Sequence, residues 1–199
     1  IMDTISKRYS ACGGRIGAFI TKNQALLDAT MKFAQARLSP PSFAQIAGGL
    51  ELGRINVAAR GCGIAQGALE LALRYAQERS TFGKPICEHQ AIQLKLAEMA
   101  TQVAAAKLLI EQAALKYDAG ERCDLEAAMA KYFGSEAGVF CANEAMRIFG
   151  GYSYSTEYEI ERYYRDARIS RIYDGTSEIH RSSIARSLAK RGNALFELQ

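Results

Sequence analysis

Residues 92–117 read IQLKLAEMATQVAAAKLLIEQAALKY, and the apolar pattern of this stretch decides the fold class. Its core-type side chains recur at alternating steps of four and three residues: Ile92, Leu96, Met99, Val103, Ala106, Ile110, Ala113 and Tyr117. Such spacing places one apolar stripe along a helix of about eight turns. The stretch therefore predicts a long helix with one face packed on a core.

Three further helices with apolar faces accompany it. A helix over about 50–77 is rich in Ala and Gly, which predicts close approach by a neighbouring helix. Another starts after Asp124, the expected N-cap, and runs to Gly150. A fourth runs from Thr176 to Arg191, and a short charged helix over 158–168 precedes it. Together these patterns predict an all-α four-helix bundle with long antiparallel helices.

The chain divides into two parts by its composition. Residues 42–199 hold the predicted bundle, whereas residues 1–41 show only one candidate helix at 25–38, followed by Ser39-Pro40-Pro41 as a linker. The pattern of residues 1–41 indicates no function.

Composition excludes several classes of protein. The 199 residues are 49% hydrophobic with a net charge of +4 and no basic block, so a nucleic-acid partner is not expected. No apolar run reaches the length of a membrane span. The five cysteines lack CxxC spacing and the two histidines lie far apart, so we expect free thiols in a reducing compartment and no metal site.

A carboxylate at a tight bend is the first candidate for chemistry. Asp174 lies in the run Ile172-Tyr-Asp-Gly-Thr176, immediately before a helix that Thr176 would cap. Backbone N–H groups at such a helix start are available as donors, and a carboxylate beside them suits proton removal next to a carbonyl. An ordinary Asp-Gly turn is the alternative interpretation.

Two other turns could meet a ligand. Arg79-Ser-Thr-Phe82-Gly connects the two longest helices, and its guanidinium and hydroxyls suit a pyrophosphate while the Phe ring can pack on a flat ring system. A plain helix end with a solvated Arg79 is the alternative. Gly150-Gly151 permits close backbone approach to a ligand, or forms a helix C-cap only.

In order and spacing, these segments resemble the C-terminal domain of the acyl-CoA dehydrogenase family over about residues 42–189. The resemblance rests on six motifs: Leu50-Glu-Leu-Gly-Arg54, Arg79-Ser-Thr-Phe-Gly83, His89-Gln-Ala91, Phe149-Gly-Gly151, Arg165-Asp-Ala-Arg168 and Ile172-Tyr-Asp-Gly-Thr176.

The resemblance implies an FAD-dependent enzyme that dehydrogenates an acyl-CoA thioester to the enoyl-CoA, with Asp174 as the general base. It implies electron transfer to an electron-transferring flavoprotein and a homo-oligomer, either tetramer or dimer. The expected location is the bacterial cytoplasm or the mitochondrial matrix.

The resemblance also assigns binding roles. For the FAD of a partner subunit it implies Arg79, Thr81 and Phe82, with Gly150 and Gly151 near the adenosine end. For the FAD of the same subunit it implies Thr176 and Glu178. For the acyl-CoA it implies Arg54, Tyr173 and Gly175.

Three positions depart from the family pattern. The family usually has Glu at the position of Asp174, and some members place the base where this chain has Gly53. Glu51 is then the nearest remaining candidate base in the sequence. Arg147 stands where a neutral amide is expected near the cofactor.

The chain is too short to hold the N-terminal helical and middle β-domains of the family, so we expect it to be a fragment, a truncated gene product or one piece of a larger assembly. Two other functions stay open from the sequence. One is a non-catalytic helical oligomerisation module, and the other is a flavin oxidase or monooxygenase on the same architecture.

Overall fold

A computed structural model describes residues 2–4, 17–19 and 43–191 of the chain, and side chains over 50–190. Contacts divide the chain into a unit over residues 1–50 and a unit over residues 51–199. In the first unit, strand β1 (Met2–Thr4) pairs antiparallel with strand β2 (Gly17–Phe19). The helix predicted at 25–38 and the predicted boundary at 41–42 lie outside the described residues.

Five helices lie within the described residues: α1 (Phe43–Glu78), α2 (Gln90–Asp118), α3 (Asp124–Phe149), α4 (Ile160–Ile169) and α5 (Ser177–Arg191). The prediction of an all-α fold with four long helices and one short charged helix is confirmed. The largest difference in bounds is at α1, which begins seven residues before the predicted Leu50. No helix within the described ranges is long and apolar enough to cross a membrane.

Helix α3 lies at the centre of the bundle and packs against α2, α4 and α5. It also meets α1 at a glycine contact, as the small residues of α1 predict. A Cβ atom added to Gly61 would lie 2.6 Å from the carbonyl oxygen of Gly134, and one added to Gly138 would lie 2.9 Å from that of Gly61. The two backbones therefore approach so closely that only glycine fits there.

The start of α3 differs from the prediction. Asp124 is the first helical residue, and Cys123 is the N-cap. The Asp124 carboxylate accepts a hydrogen bond from Nε of Arg122 at 2.7 Å. An acidic side chain in the first turn is still favourable because it faces the positive end of the helix dipole.

A β-hairpin and a short 3₁₀ turn (Ile86–Glu88) connect α1 to α2, where the sequence indicated only a turn. Strands β3 (Ser80–Thr81) and β4 (Lys84–Pro85) pair antiparallel. Their two-residue loop has φ 52° at Phe82 and φ 78° at Gly83. Two successive residues with positive φ define a type I′ turn, the tight turn whose twist matches paired strands.

Candidate functional site

The candidate base lies on a left-handed turn between α4 and α5. Asp174 has φ 53° and Gly175 has φ 97°. Thr176 caps α5 as predicted, because its Oγ1 accepts a hydrogen bond from the backbone N–H of Ile179 at 3.4 Å. A non-glycine residue in this conformation is strained, and such strain concentrates at functional sites.

Tertiary packing brings this turn to α1. A Cβ atom added to Gly53 would lie 4.0 Å from Oδ2 of Asp174, so the two predicted base positions face each other. Arg54 follows Gly53 on α1 and is half-buried. Its positive charge interacts with the buried His180 imidazole behind the turn. The Tyr173 hydroxyl is buried with no hydrogen-bond partner among the described residues. The structure thus groups Asp174 with two of its predicted substrate-site neighbours.

Glu51 faces a different neighbour. Its Oε2 accepts a hydrogen bond from the Cys123 thiol at 3.4 Å. Burial and this contact raise the pKa of the Cys123 thiol to about 11. Because residues two apart on a helix point to different faces, the side of α1 that carries Gly53 is not the side that carries Glu51.

A carboxylate that the sequence reasoning missed holds both ends of the turn. Oε1 of Glu136 accepts hydrogen bonds from Nε of Arg171 and from Oγ of Ser177, each at 2.8 Å. The backbone N–H of Ser177 also donates to the carbonyl oxygen of Arg171 at 3.1 Å. The residues before and after Asp174 are therefore held by one side chain of α3.

Two buried basic side chains under the turn were also missed. Lys131 and His180 have no exposed surface. Burial, with the charge of Arg54, lowers the pKa of Lys131 to about 8, although Glu136 and Glu178 raise it. Burial and the charges of Lys131 and Arg54 lower the pKa of His180 to about 4, so its imidazole is neutral at pH 7. The sequence did carry one signal, since a lone lysine interrupts the apolar stretch of residues 127–133.

A second candidate region is a cleft of about 590 Å³ beside the hairpin. Four of its lining residues are ones that the sequence predicts to bind flavin: Arg79, Thr81, Phe82 and Gly151. The other lining residues come from distant segments: Tyr75, Ile86, His89, Ile92, Ile148, Phe149 and Tyr152. Gly150 comes directly before the lining residue Gly151. It has φ 60° and ψ −136°, a conformation that only glycine adopts readily.

Side chains in the cleft are held at defined positions. The rings of Tyr75 and Phe149 stack with centroids 4.1 Å apart. The Arg79 guanidinium lies 5.6 Å from the centre of the Tyr152 ring. The Phe82 ring meets the His89 ring edge-on, with centroids 6.2 Å apart, and 98% of Phe82 is exposed. This exposed aromatic ring is therefore accessible for stacking on a flat group of another molecule.

Thr81 and His89 hold the base of the hairpin. Oγ1 of Thr81 lies 3.1 Å from Nε2 of His89, which occupies the N-cap position of α2. His89 is therefore a polar residue that ends the hairpin connection at the start of a helix. His180 lies in the first turn of α5 and is buried there.

Thr176 and Glu178 line a separate pocket of about 140 Å³, with Arg168, Arg171, Ile172 and Ser177. A backbone hydrogen bond and one from the Thr176 hydroxyl hold the pKa of Glu178 below its usual range. This pocket shares no lining residue with the hairpin cleft, so the predicted flavin residues form two groups.

Arg147, the departure expected near the cofactor, has an internal partner. Its Nη1 lies 2.8 Å from Oε1 of the buried Glu144, which also pairs with Lys95. Burial alone would raise the pKa of the Glu144 carboxyl, but hydrogen bonds and charge from these two cations lower it. Among the described residues, no group of three or more His, Cys, Asp or Glu side chains could hold a metal ion.

Comparison with known proteins gives a consistent result. Residues 43–189 match the family model described as "Acyl-CoA dehydrogenase, C-terminal domain". A 3-(aryl)acrylate reductase of Clostridium sporogenes is 52% identical over 141 residues, which cover 71% of this chain and 37% of that protein. The caffeyl-CoA reductase-Etf complex subunit CarC of Acetobacterium woodii is 46% identical over 143 residues, covering 71% of this chain and 38% of that protein.

The fold agrees with a solved structure. Butyryl-CoA dehydrogenase from Megasphaera elsdenii superposes with a TM-score of 0.71 at 43% identity, covering 73% of this chain and 38% of that one. The chain thus spans less than two fifths of the length of these relatives. Because the family model matches well over half of its residues, the chain belongs to the acyl-CoA dehydrogenase family and contains its C-terminal domain.

Proposed function

We propose that this chain forms the C-terminal part of an FAD-dependent acyl-CoA dehydrogenase, which converts an acyl-CoA thioester to the α,β-unsaturated enoyl-CoA. The observation that carries the proposal is the Asp174 carboxylate on a strained turn, with Oδ2 directed at the side-chain-free position of Gly53. Family membership supports the same chemistry. Residues 42–199 would form this functional part, and residues 1–41 a separate segment.

In this proposal Asp174 removes the α-proton of the thioester and holds it on a carboxylate oxygen. The backbone N–H of Asp174 donates a hydrogen bond to the thioester carbonyl oxygen, which stabilises the negative charge that develops on that oxygen. The bound FAD would supply the oxidant for this reaction, so that the β-hydrogen could leave with its two electrons. The product then carries a double bond between the α- and β-carbons. Arg54 and Tyr173 would contact the substrate beside this turn.

The residues around the hairpin cleft fit a flavin cofactor. Arg79 offers a forked donor for a phosphate, and the exposed Phe82 ring offers a face for a flat ring system. Thr176 and Glu178 line the separate small pocket beside Asp174. This division supports the proposal that the hairpin residues bind the flavin of a partner subunit and the α5 residues bind that of their own subunit, with Gly150 and Gly151 near the adenosine end.

A second copy of the chain is the proposed partner for α2. Three leucines of this helix expose about two thirds of their surface: Leu94, Leu108 and Leu115. They lie 14 and seven residues apart, and residues separated by whole heptads share one face of a helix, as in the contact seam of packed helix pairs. We therefore propose a homo-oligomer, either dimer or tetramer, in which this stripe is covered.

An electron-transferring flavoprotein is the proposed redox partner, supported by the Etf complex named for the relative from Acetobacterium woodii. The four described cysteines are free, which suits a reducing compartment, the bacterial cytoplasm or the mitochondrial matrix.

The reverse reaction is a second candidate, because the 52% identical relative is named a reductase. The same residues serve both directions, since a protonated Asp174 would return its proton to the α-carbon of an enoyl-CoA. The physiological direction would then depend on the redox partner.

Rapid mixing of the complete FAD-loaded enzyme that contains this chain tests the proposal. Saturated acyl-CoA should bleach the oxidised flavin band, and enoyl-CoA should restore it after chemical reduction. A protein that purifies without flavin and cannot be loaded would favour the oligomerisation module. A flavin that is reduced by a nitroalkane but not by any acyl-CoA would favour a flavin oxidase.

A further inference from the structure

The Asp174–Gly175 turn rests on two fully buried basic side chains. Nζ of Lys131, from the N-terminal third of α3, donates a hydrogen bond to the carbonyl oxygen of Gly175 at 2.6 Å. Nε2 of His180, from the first turn of α5, lies 3.2 Å from the carbonyl oxygen of Asp174. Two successive carbonyl groups of the turn are therefore held from two different helices.

The turn needs such support. Asp174 and its neighbour both have positive φ, at 53° and 97°. The left-handed conformation is less favourable for aspartate than for glycine, and contacts that determine the backbone stabilise it. Since a buried carbonyl without a donor is also unfavourable, loss of either side chain would favour a relaxed turn.

The geometry defines the protonation state of His180. A carbonyl oxygen only accepts, so the proton of the neutral imidazole is on Nε2. A Cβ atom on Gly175 would lie 2.9 Å from that same nitrogen, which explains why the turn has glycine there. Nδ1 is buried with no hydrogen-bond partner among the described residues.

We propose that Lys131 and His180 are positioning residues that hold the Asp174–Gly175 turn in its left-handed conformation and so direct the Asp174 carboxylate toward Gly53. What the carboxylate does there rests on the function proposed above. The conformation of the turn does not, and it can be measured without turnover.

Hydrogen exchange is the first test. In the protein without substrate, Lys131→Met and His180→Met should speed exchange of the Ser177 amide, which donates to the Arg171 carbonyl oxygen, by roughly 10-fold relative to α3, the scale of one lost buried hydrogen bond. His180→Gln keeps a donor and should restore most of the protection. Val103→Ala, a truncation in the core of α2, should lower global stability and leave exchange at the turn unchanged relative to α3.

Nitrogen NMR of the unsubstituted protein is a second measurement that needs no variant. It should show His180 as the neutral tautomer with the proton on Nε2. A proton on Nδ1 would overturn the role of His180. Parental exchange of the Ser177 amide in both methionine variants would overturn the proposal as a whole.

Kinetics of the complete FAD-loaded enzyme separate this proposal from the proposed function. In both methionine variants the rate of flavin reduction should fall by about 10²-fold while substrate binding changes little, as expected for a displaced catalytic group. His180→Gln should recover much of the rate. If exchange changes as expected but neither these variants nor Asp174→Asn slows turnover, the positioning holds and the assignment of the base is wrong.

Discussion

Asp174 is one methylene shorter than the glutamate usual in the family, and this difference can be tested at the residue itself. Asp174→Asn keeps the volume and the turn but cannot accept a proton. Flavin reduction by acyl-CoA should therefore slow by about 10²–10⁴-fold, the contribution of a positioned general base, with flavin still bound. Asp174→Glu should maintain or increase the rate with straight-chain substrates, because it restores the longer reach.

Glu51→Gln is the matched control for this experiment, since the Glu51 carboxylate accepts a hydrogen bond from the Cys123 thiol and lies on another face of α1. Its rate of flavin reduction should equal that of the parent, measured by stopped-flow bleaching with a panel of acyl-CoA substrates. A slow Glu51→Gln enzyme together with a fast Asp174→Asn enzyme would move the base to Glu51.

His180 makes stability depend on pH. Its pKa is lowered from 6.5 to about 4 in the folded protein, so the unfolded chain binds more protons between these values. The free energy of unfolding should therefore fall as the pH drops from 6.5 to 4, with about 3 kcal/mol from this residue at most. Urea titrations at a series of pH values should show a shallower loss in His180→Gln. Equal slopes for parent and variant would contradict a buried neutral imidazole.

At the scale of single elements, the hairpin combines strain with exposure. Phe82→Asn creates Asn-Gly, the pair that a type I′ turn favours, and it removes a ring that is 98% exposed. The variant should gain about 1 kcal/mol of stability and bind FAD about tenfold more weakly. Thermal unfolding and flavin titration of the complete enzyme would measure both effects. Lower stability in the variant would mean that the ring packs within the protein rather than on a ligand.

The contact between α1 and α3 gives a prediction with an internal control. Gly61→Ala places a methyl group 2.6 Å from the Gly134 carbonyl oxygen, so it should cost about 1–3 kcal/mol of stability. Gly63→Ala, on the same helix, meets nothing within 4 Å and should gain up to about 1 kcal/mol from helix propensity. Denaturant unfolding of both variants decides whether the close approach is correct, since equal effects would show that it is not.

At the scale of the whole molecule, the exposed leucine stripe of α2 predicts self-association. Leu108 is 67% exposed at the centre of the stripe, and a charge there would have to be desolvated in an interface. Leu108→Lys should therefore shift the protein to a smaller species in sedimentation velocity runs at micromolar concentration. Leu73→Lys, a leucine of α1 that is 42% exposed, is the matched control and should sediment like the parent. An unchanged oligomer in Leu108→Lys would place the interface elsewhere.

The sequence alone determined the helices of this protein, because periodicity and caps are local properties of the chain. The apolar repeat of residues 92–117 predicted α2 closely, and Thr176 predicted the start of α5. The glycines of α1 predicted a close helix contact without naming the partner. The order of short motifs was likewise enough to indicate the family that comparison then established.

How distant segments meet follows from the folded structure and not from the sequence pattern, because it depends on which faces of the helices pack together. The tertiary structure placed Gly53 opposite Asp174, and it buried Lys131 and His180 beneath the turn. It also formed the hairpin, since the strand pairing and the two positive φ angles have no periodic signal in so short a run. Close contacts between remote residues set the strain and the pKa values of this site, and neither follows from the local sequence.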